Sequence, residues 1–397
     1  MNHSGINSDG FFRNTTIVWL ENSTLASYNV TNSSGVPVTG PINHMVKSAM
    51  AIWKYGSPVL VTLGFMFNTM AIVVLLQKNL RRKTSSLYLI ALAISDTSVL
   101  MNGYLRFWII MSTDEKLNIR DISQAGCKIM TFLLYLSNQF SAWMLVCITV
   151  ERLIVVFVPH KARLICTFRS TALTILCVFV VLCIVNMHFF WSTGILQQIQ
   201  ICRWLPGFDF IKNVYRWVDF ALGSIIPFIV MIVSNVIIIA KLTCFRRHIQ
   251  SNQNTSFGRM AVMLVTVNFT FIVLTLPILL YLVHGFDHWY VEDRSRFYLL
   301  WACLNLVFYS NNVLNFVMYC ISGTDFRSTL RDGICKLFLC CKDCQHLPNS
   351  SLWTNLSMGK RTSETRSSSP SRIYPHSSKA PRCHEIEELI DKQTSTV

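Results

Sequence analysis

Seven long apolar runs constrain this chain more than any other feature of its sequence. Each run has enough residues to cross the hydrocarbon core of a bilayer as a helix, which takes about 20 residues. Only 14% of the residues are charged, against roughly 25% in soluble globular domains. Because lipid offers no hydrogen bonds to the backbone, runs of this kind favour a bundle of helices. We therefore predict an all-α membrane protein, a bundle of seven transmembrane helices.

The runs divide the chain into four parts. A polar arm covers residues 1–50, the bundle covers 51–322, a short surface segment covers 323–344, and a tail covers 345–397. The tail is rich in Ser and poor in aromatic residues, so we expect it to be disordered. The seven helices are predicted at about 55–77, 84–111, 129–150, 170–191, 214–242, 260–286 and 297–322.

Charge in the loops indicates the orientation of the bundle. The loops after the first, third and fifth runs are basic and contain no acidic residue, whereas the other loops have mixed charge. Basic loops stay in the cytoplasm, so we predict a plasma-membrane protein with its N-terminus outside and its C-terminus inside. The net charge of +15 then fits anionic lipid better than nucleic acid.

The arm contains five Asn-x-Ser/Thr sequons, which favour a glycosylated extracellular segment. The alternative is an unmodified disordered arm. The sequons begin at Asn2, Asn14, Asn22, Asn29 and Asn32.

The third run is unusually polar for a membrane helix. Six of its residues recur at spacings of four and three, so they form one stripe along a helix. A stripe that mixes Asn, Ser and Arg with Leu is poorly suited to lipid and favours a central helix that faces a wet interior. The stripe consists of Leu134, Asn138, Ser141, Leu145, Ile148 and Arg152.

The segment after the seventh run predicts an amphipathic helix on the inner leaflet. Its apolar stripe consists of Phe326, Leu330, Ile334 and Leu337. Nearby cysteines are candidates for palmitoylation, which would hold this helix on the membrane. They are Cys335, Cys340, Cys341 and Cys344.

Several short motifs occur in a fixed order on these runs. They are Asn68 in the first run, LAISD ending at Asp96, Cys127 and Cys202, TVERL with Glu151 and Arg152, Pro227, Pro277, and NFVMY from Asn315 to Tyr319. Together they resemble the rhodopsin-like (class A) G-protein-coupled receptors. The chain departs from that pattern at Leu153, Asn235, Thr275 and Phe316, where the family usually has Tyr, Tyr, Trp and Pro.

The resemblance assigns roles to the polar residues. It implies a Cys127–Cys202 disulfide, and a sodium ion with waters at Asp96, Ser141, Asn311 and Asn315, with Asn68 in the same network. It also implies a G-protein switch at Glu151, Arg152, Asn315 and Tyr319. The alternatives are an Asp96 that is satisfied by water and only packs the bundle, and an Arg152 that anchors its helix at the membrane surface.

The resemblance also bears on the ligand. A retinal pigment needs a Lys in the seventh helix, and residues 297–319 contain none. Amine receptors have an Asp in the third helix at the position of Leu134. The resemblance therefore argues against both of these ligand classes. PHKARLICT, LTLP and SNNVLNFVMYC are similar to invertebrate neuropeptide receptors of the FMRFamide and thyrotropin-releasing-hormone-like groups. The predicted pocket consists of Arg106, Phe107, Leu134, Asn138, Gln139, Arg216, Asp219, Tyr281, Asn305 and Tyr309.

Alternatives remain open for this pocket and for the tail. Asp219 and Arg106 would meet charged groups of a peptide, or they would pair with each other or with Arg216 and only hold the bundle together. Ser363 to Ser371 would recruit arrestin once phosphorylated, or would be plain disordered chain. The C-terminal residues, which end at Val397, would bind a PDZ domain, or their resemblance to a PDZ ligand arises by chance.

The functional prediction is a receptor that binds an extracellular peptide and catalyses nucleotide exchange on a heterotrimeric G protein. Alternatives are a receptor for a lipid or other small molecule, and an ion transporter that uses Asp96. We do not predict an enzyme, because the runs contain no metal-spaced cluster and no nucleophile–base pair.

Overall fold

The computed structural model describes residues 44–113, 117–198, 200–248, 255–284 and 294–338. Several predictions lie outside these residues: the five sequons, Cys340, Cys341 and Cys344, the tail hydroxyls and the C-terminal Val397.

Seven helices long and apolar enough to cross a membrane are present among the described residues, which confirms the predicted fold class. A short helix, Pro159–Ile165, lies in the predicted loop between the third and fourth of them, and another short helix follows the seventh. The spanning helices and the last short helix are α1 (His44–Leu75), α2 (Thr84–Ser112), α3 (Gln124–Phe157), α4 (Phe168–Asn186 with Phe189–Ser192), α5 (Asp209–Phe220, Ala221–Ile225 and Ile226–His248), α6 (Thr255–His284), α7 (Arg294–Ser322) and α8 (Thr324–Phe338).

The first helix begins earlier than the hydropathy indicates. Residues 44–50, which were predicted to belong to the polar arm, are helical. Ala49 is 1% exposed and Trp53 is 0% exposed, because both pack into a core cluster with residues of α2 and α7. Burial of two apolar side chains therefore extends the helix into a segment that looks polar.

Three of the helices contain a single π-helical turn. These turns are Ile52–Gly56 in α1, Leu100–Tyr104 in α2 and Ala221–Ile225 in α5. The turn in α2 brings Gly103 close to α7, since a Cβ on Gly103 would lie 2.5 Å from the Tyr309 hydroxyl oxygen. Glycine is thus required there for a close approach between two helices.

A short hairpin departs from the predicted all-α architecture. Strands β1 (Thr193–Leu196) and β2 (Ile201–Trp204) pair antiparallel, with Ile195 opposite Cys202. A disulfide joins Cys202 to Cys127 in the first turn of α3. We call this side of the bundle the disulfide end, and the opposite side, where α3 carries Glu151 and Arg152, the Arg152 end.

Each end of the bundle has its own apolar core. The cluster at the disulfide end contains Trp53, Tyr104 and Tyr309, whereas the cluster at the Arg152 end contains Leu145, Met231 and Tyr319. Phe326 of α8 belongs to the second cluster and is 3% exposed. Phe326, a member of the predicted apolar stripe of α8, thus packs against the bundle, while the side chains of Ile334 and Leu337 lie outside the described residues.

Candidate functional site

The loops at the disulfide end are fixed to α3 by several contacts. The Asp121 Oδ1 atom accepts a hydrogen bond from the Cys202 backbone N–H at 2.8 Å. Gln124 bonds both polar backbone groups of Ile195, at 3.1 Å and 3.0 Å. Together with the disulfide, these bonds hold the hairpin beside the start of α3.

Two arginines are buried at this end. Arg106 on α2 is 1% exposed, and Arg120, in the short 3₁₀ helix Ile119–Asp121, is 6% exposed. The Nε and Nη1 atoms of Arg106 and the Nε atom of Arg120 have no hydrogen-bond partner among the described residues. Neither arginine forms an ion pair in that part of the chain. Unpaired buried charge is costly, so such groups indicate a binding role.

Asp121 lies close enough to influence these charges. Burial lowers the pKa of Arg120, and Tyr135 and Asp121 oppose that shift. Burial raises the pKa of Asp121, against the opposing effects of the Cys202 backbone N–H, Arg120 and Arg106. The disulfide end therefore has two buried cations and one partly buried carboxylate. Arg120 is a site residue that the sequence analysis missed.

Aromatic side chains surround Arg106. Its guanidinium carbon lies 4.6 Å from the centre of the Phe107 ring. Phe107 packs on Trp53 at 4.4 Å, and Tyr309 packs on Tyr104 at 4.6 Å between ring centres. The predicted pocket residues Arg106, Phe107 and Tyr309 are thus brought together by α1, α2 and α7.

A second group of pocket residues lies between α3, α4 and α5. The Gln139 amide donates to the Asp219 carboxylate at 2.8 Å and to the Tyr215 hydroxyl at 3.2 Å. The Asn186 amide donates to Gln139 at 2.8 Å, and the Tyr215 hydroxyl donates to Asn186. We call these four residues, Gln139, Asn186, Tyr215 and Asp219, the tetrad. Their hydrogen bonds join α3, α4 and α5. Asn186 interrupts an apolar run, and that polar position was a signal the sequence analysis did not use.

The two groups remain separate. Asp219 and Arg106 do not form an ion pair with each other among the described residues. Asp219 contacts Gln139 of α3, whereas Arg106 packs against the aromatic residues of α1 and α7. Tyr135 of α3 contacts the tetrad, since its ring centre lies 5.6 Å from that of Tyr215.

The remaining residues of the predicted pocket lie in different environments. Tyr281 on α6 is buried beside Phe297 at 6.0 Å between ring centres. Asn305 donates to the Trp301 carbonyl of its own helix at 2.8 Å. Leu134, Asn138 and Arg216 are half-buried.

Asp96 occupies the centre of the bundle and is fully buried. Its Oδ1 atom accepts from the Ser141 hydroxyl at 2.6 Å, and its Oδ2 atom accepts from the Asn315 amide at 2.7 Å. The carboxylate therefore joins α2, α3 and α7. Asn311 is also buried, and its Oδ1 atom has no partner among the described residues. Asn68 instead donates to the Asn312 carbonyl at 3.1 Å, so it ties α1 to α7.

At the Arg152 end, Glu151 is held mainly by hydroxyl groups. Its Oε1 atom accepts from Thr84 at 2.7 Å and from Ser85 at 3.2 Å, and its Oε2 atom accepts from Thr171 at 3.5 Å. Arg152 lies 3.4 Å from the same carboxylate, which is longer than a strong charge-assisted bond. Its Nε atom has no partner among the described residues. Arg152 is therefore buried but loosely paired.

A polar contact between α3, α5 and α6 lies in the core at this end. The Asn268 amide donates to the Thr149 hydroxyl at 2.7 Å and to the Asn235 carbonyl oxygen at 3.1 Å. Asn268 is 0% exposed. In the sequence, Asn235 is notable only as a departure from the family pattern, and nothing there indicates its contact with Asn268.

Two further departures from the family pattern lie at buried positions. Phe316, where the family usually has Pro, stacks on Phe67 at 5.3 Å and contacts Phe326 at 5.7 Å between ring centres. Tyr319 packs on the same Phe326 at 5.5 Å. Thr275, where the family usually has Trp, is 2% exposed. Phe316 thus fills the core where α7 meets α8.

These features define a class of protein: a bundle of seven membrane-spanning helices with a polar centre and buried charged groups at the disulfide end. A family model described as "7 transmembrane receptor (rhodopsin family)" matches residues 67–319, more than half of the chain. The chain belongs to this family of seven-transmembrane receptors, which are not enzymes.

Curated relatives are similar at low identity. The mouse "Probable G-protein coupled receptor 142" is 24% identical over 267 residues, which cover 66% of this chain and 68% of that protein. The mouse "Thyrotropin-releasing hormone receptor" is 27% identical over 173 residues, which cover 42% of this chain and 43% of the receptor. Its human counterpart is 26% identical over 176 residues, covering 42% of each chain.

Proposed function

We propose that this receptor binds an extracellular neuropeptide at its disulfide end and activates a heterotrimeric G protein at its Arg152 end. The orientation rests on the basic loops at the Arg152 end and on the sequons of the N-terminal arm. The observation that carries the ligand proposal is the pair of buried arginines, Arg106 and Arg120, whose unpaired N–H groups suit a ligand that supplies acceptors.

A peptide matches the rest of the site chemically. Carbonyl and carboxylate oxygens of a peptide would accept from Arg106 and Arg120, while a cationic group would meet the carboxylate of Asp219. The aromatic residues Phe107, Tyr281 and Tyr309 offer apolar surface for side chains. The similarity to thyrotropin-releasing hormone receptors supports the same reading of the ligand.

The Arg152 end suits G-protein activation. A loosely paired, buried Arg152 needs little energy to leave Glu151 and reach a partner that enters between the helices. Asn315 and Tyr319 of α7 would move with this switch, and Pro277 inside α6 provides a point about which that helix bends. Arrestin and a PDZ-domain protein remain proposed partners of the tail, and membrane lipids remain proposed partners of the bundle.

The centre of the bundle would link the two ends through a sodium ion. The Asp96 carboxylate, the Ser141 hydroxyl and the Asn311 amide oxygen provide the hard oxygen ligands that such a cation prefers. Asn311 supports this fit, because its buried Oδ1 atom has no partner among the described residues. The ion would supply positive charge beside a carboxylate that is fully buried.

The test is a signalling screen in cells that express this chain with a promiscuous Gα subunit. A library of synthetic amidated neuropeptides is applied, and intracellular calcium is recorded. We expect a saturable response to one peptide. Arg106→Gln and Arg120→Gln should each weaken its potency by roughly 10- to 100-fold, since a hydrogen bond to a charged group contributes about 1.5–3 kcal/mol.

The matched control is Arg296→Gln, which removes an exposed arginine at the start of α7. Equal potency for all three variants would contradict the assigned site. A receptor that reaches the surface, ignores every peptide and responds to a lipid or another small molecule would replace the peptide proposal.

A further inference from the structure

A groove lies on the outside of the bundle at the Arg152 end. Its volume is about 540 Å³, and it is formed by the end of α1, the loop to α2, the first turns of α2 and the first residue of α4. This volume falls in the range of roughly 300–1,000 Å³ typical of small-molecule sites. Its apolar residues are Leu76, Leu87, Ile90 and Phe168, and its charged residues are Arg81 and Arg82.

The apolar lining is unusually open. Leu76 is 54% exposed and Phe168 is 56% exposed. On a membrane-spanning helix, exposed apolar side chains face lipid tails rather than water. The groove therefore provides a surface for a hydrocarbon chain next to two cations.

Positive charge in this groove is not balanced by the protein. The loop between α1 and α2 carries Lys78, Arg81, Arg82 and Lys83, and residues 76–90 contain no acidic residue. Lys83 pairs with Asp325 at 2.6 Å. Neither Arg81 nor Arg82 forms an ion pair within the described residues, and both are exposed. The ligand must therefore bring its own negative charge.

We propose that this groove is a binding site for an anionic phospholipid. The phosphate-bearing headgroup lies against Arg81 and Arg82, because guanidinium groups donate paired hydrogen bonds to phosphate oxygens. An acyl chain lies along Leu76, Leu87 and Phe168. A soluble phosphate would satisfy the arginines alone, so the apolar wall favours a lipid. Its placement in the cytoplasmic leaflet, which is rich in anionic lipid, rests on the orientation proposed above.

The test uses the full-length receptor in nanodiscs of phosphatidylcholine that contain phosphatidylserine with a photoactivatable acyl chain. After illumination, labelled peptides are mapped and quantified. We expect labels to concentrate on residues 76–90 and on Phe168. Labelled phosphatidylcholine should mark the same residues only weakly, and soluble glycerophosphoserine should not compete with phosphatidylserine.

Matched variants separate a built site from diffuse attraction. Arg81→Gln with Arg82→Gln removes two charges from the groove, whereas Lys78→Gln with Arg169→Gln removes two exposed charges that do not line it. We expect labelling to fall on the order of tenfold in the first variant and less than twofold in the second. Unchanged elution volume and thermal stability verify that both variants fold.

Three results would overturn the proposal. Equal losses in the two double variants would indicate diffuse electrostatic attraction. Equal labelling by phosphatidylserine and phosphatidylcholine would indicate an apolar groove without headgroup selectivity, and competition by glycerophosphoserine would indicate a phosphate site that needs no acyl chain. The experiment requires neither an activating peptide nor a G protein, so its outcome is independent of the signalling proposal.

Discussion

Single polar side chains within the membrane determine how the helices of this receptor are held together. Asn268 illustrates this at the Arg152 end, where one buried amide bonds Thr149 of α3 and Asn235 of α5. The start of α6 offers no acidic residue that would hold Arg152. We infer that the amide of Asn268 provides the tie between α6 and its neighbours in the resting receptor.

Replacing Asn268 with Leu should therefore raise basal signalling. Hydrogen bonds between membrane helices contribute about 0.6 kcal/mol on average, so losing two shifts the resting equilibrium by roughly five- to tenfold. Basal G-protein activation, normalised to surface expression, measures the change. Thr270→Val is the matched control, because the Thr270 hydroxyl donates to the Thr266 carbonyl of its own helix at 2.9 Å and to no other helix within the described residues. Equal basal activity in the two variants would contradict the assigned tie.

The contacts of the buried charged residues were only partly predictable from the sequence. Ser141 and Asn315 both bond to Asp96, in the arrangement that the resemblance to the receptor family implied. Phe107 and Tyr309 were predicted to share a pocket with Arg106, but the contribution of Trp53 was not, because Trp53 belongs to α1 and lies far away in sequence. Arg120 gave no signal at all, because it lies in a three-residue 3₁₀ helix between α2 and α3 and its surroundings, which include the disulfide and Tyr135, are brought together only by the fold.

At the level of helices, hydropathy predicts which segments span the membrane but not where they begin. It does not register the burial of Trp53 that extends α1 to His44, nor the hairpin between α4 and α5. The π-helical turns leave no clear pattern in the sequence either. The turn in α2 nevertheless positions Gly103 and Tyr104 against α7.

Gly103→Ala should destabilise the receptor through this contact. Its Cβ would lie 2.5 Å from the Tyr309 hydroxyl and 2.9 Å from the ring, and the buried ring has little room to move. Overpacking of this kind costs about 1–3 kcal/mol, so thermal unfolding of the purified receptor should begin several degrees lower.

Gly223→Ala is the control, because it lies in the equivalent turn of α5 and its Cβ would make contacts of 3.7 Å or more. A Gly103→Ala receptor as stable as the Gly223→Ala receptor would contradict the close approach of α2 to α7.

The whole molecule joins two polar ends through a central helix. α3 carries Cys127 at one end, Ser141 beside Asp96 at the centre, and Glu151 with Arg152 at the other end. A ligand that rearranges Gln139 and Asp219 acts directly on this helix. In the proposed function, Arg152 is therefore the output of the receptor and Glu151 is the group that restrains it.

The most direct measurement is GDP release from purified heterotrimeric G proteins of several Gα classes, in the presence of the receptor in nanodiscs. We predict that Glu151→Gln accelerates release severalfold over the unmodified receptor for at least one class. Arg152→Ala should reduce release to the rate without receptor, although the protein folds and reaches the cell surface. Release that is unaffected by every form of the receptor, or equal for Arg152→Ala and the unmodified chain, would contradict the account.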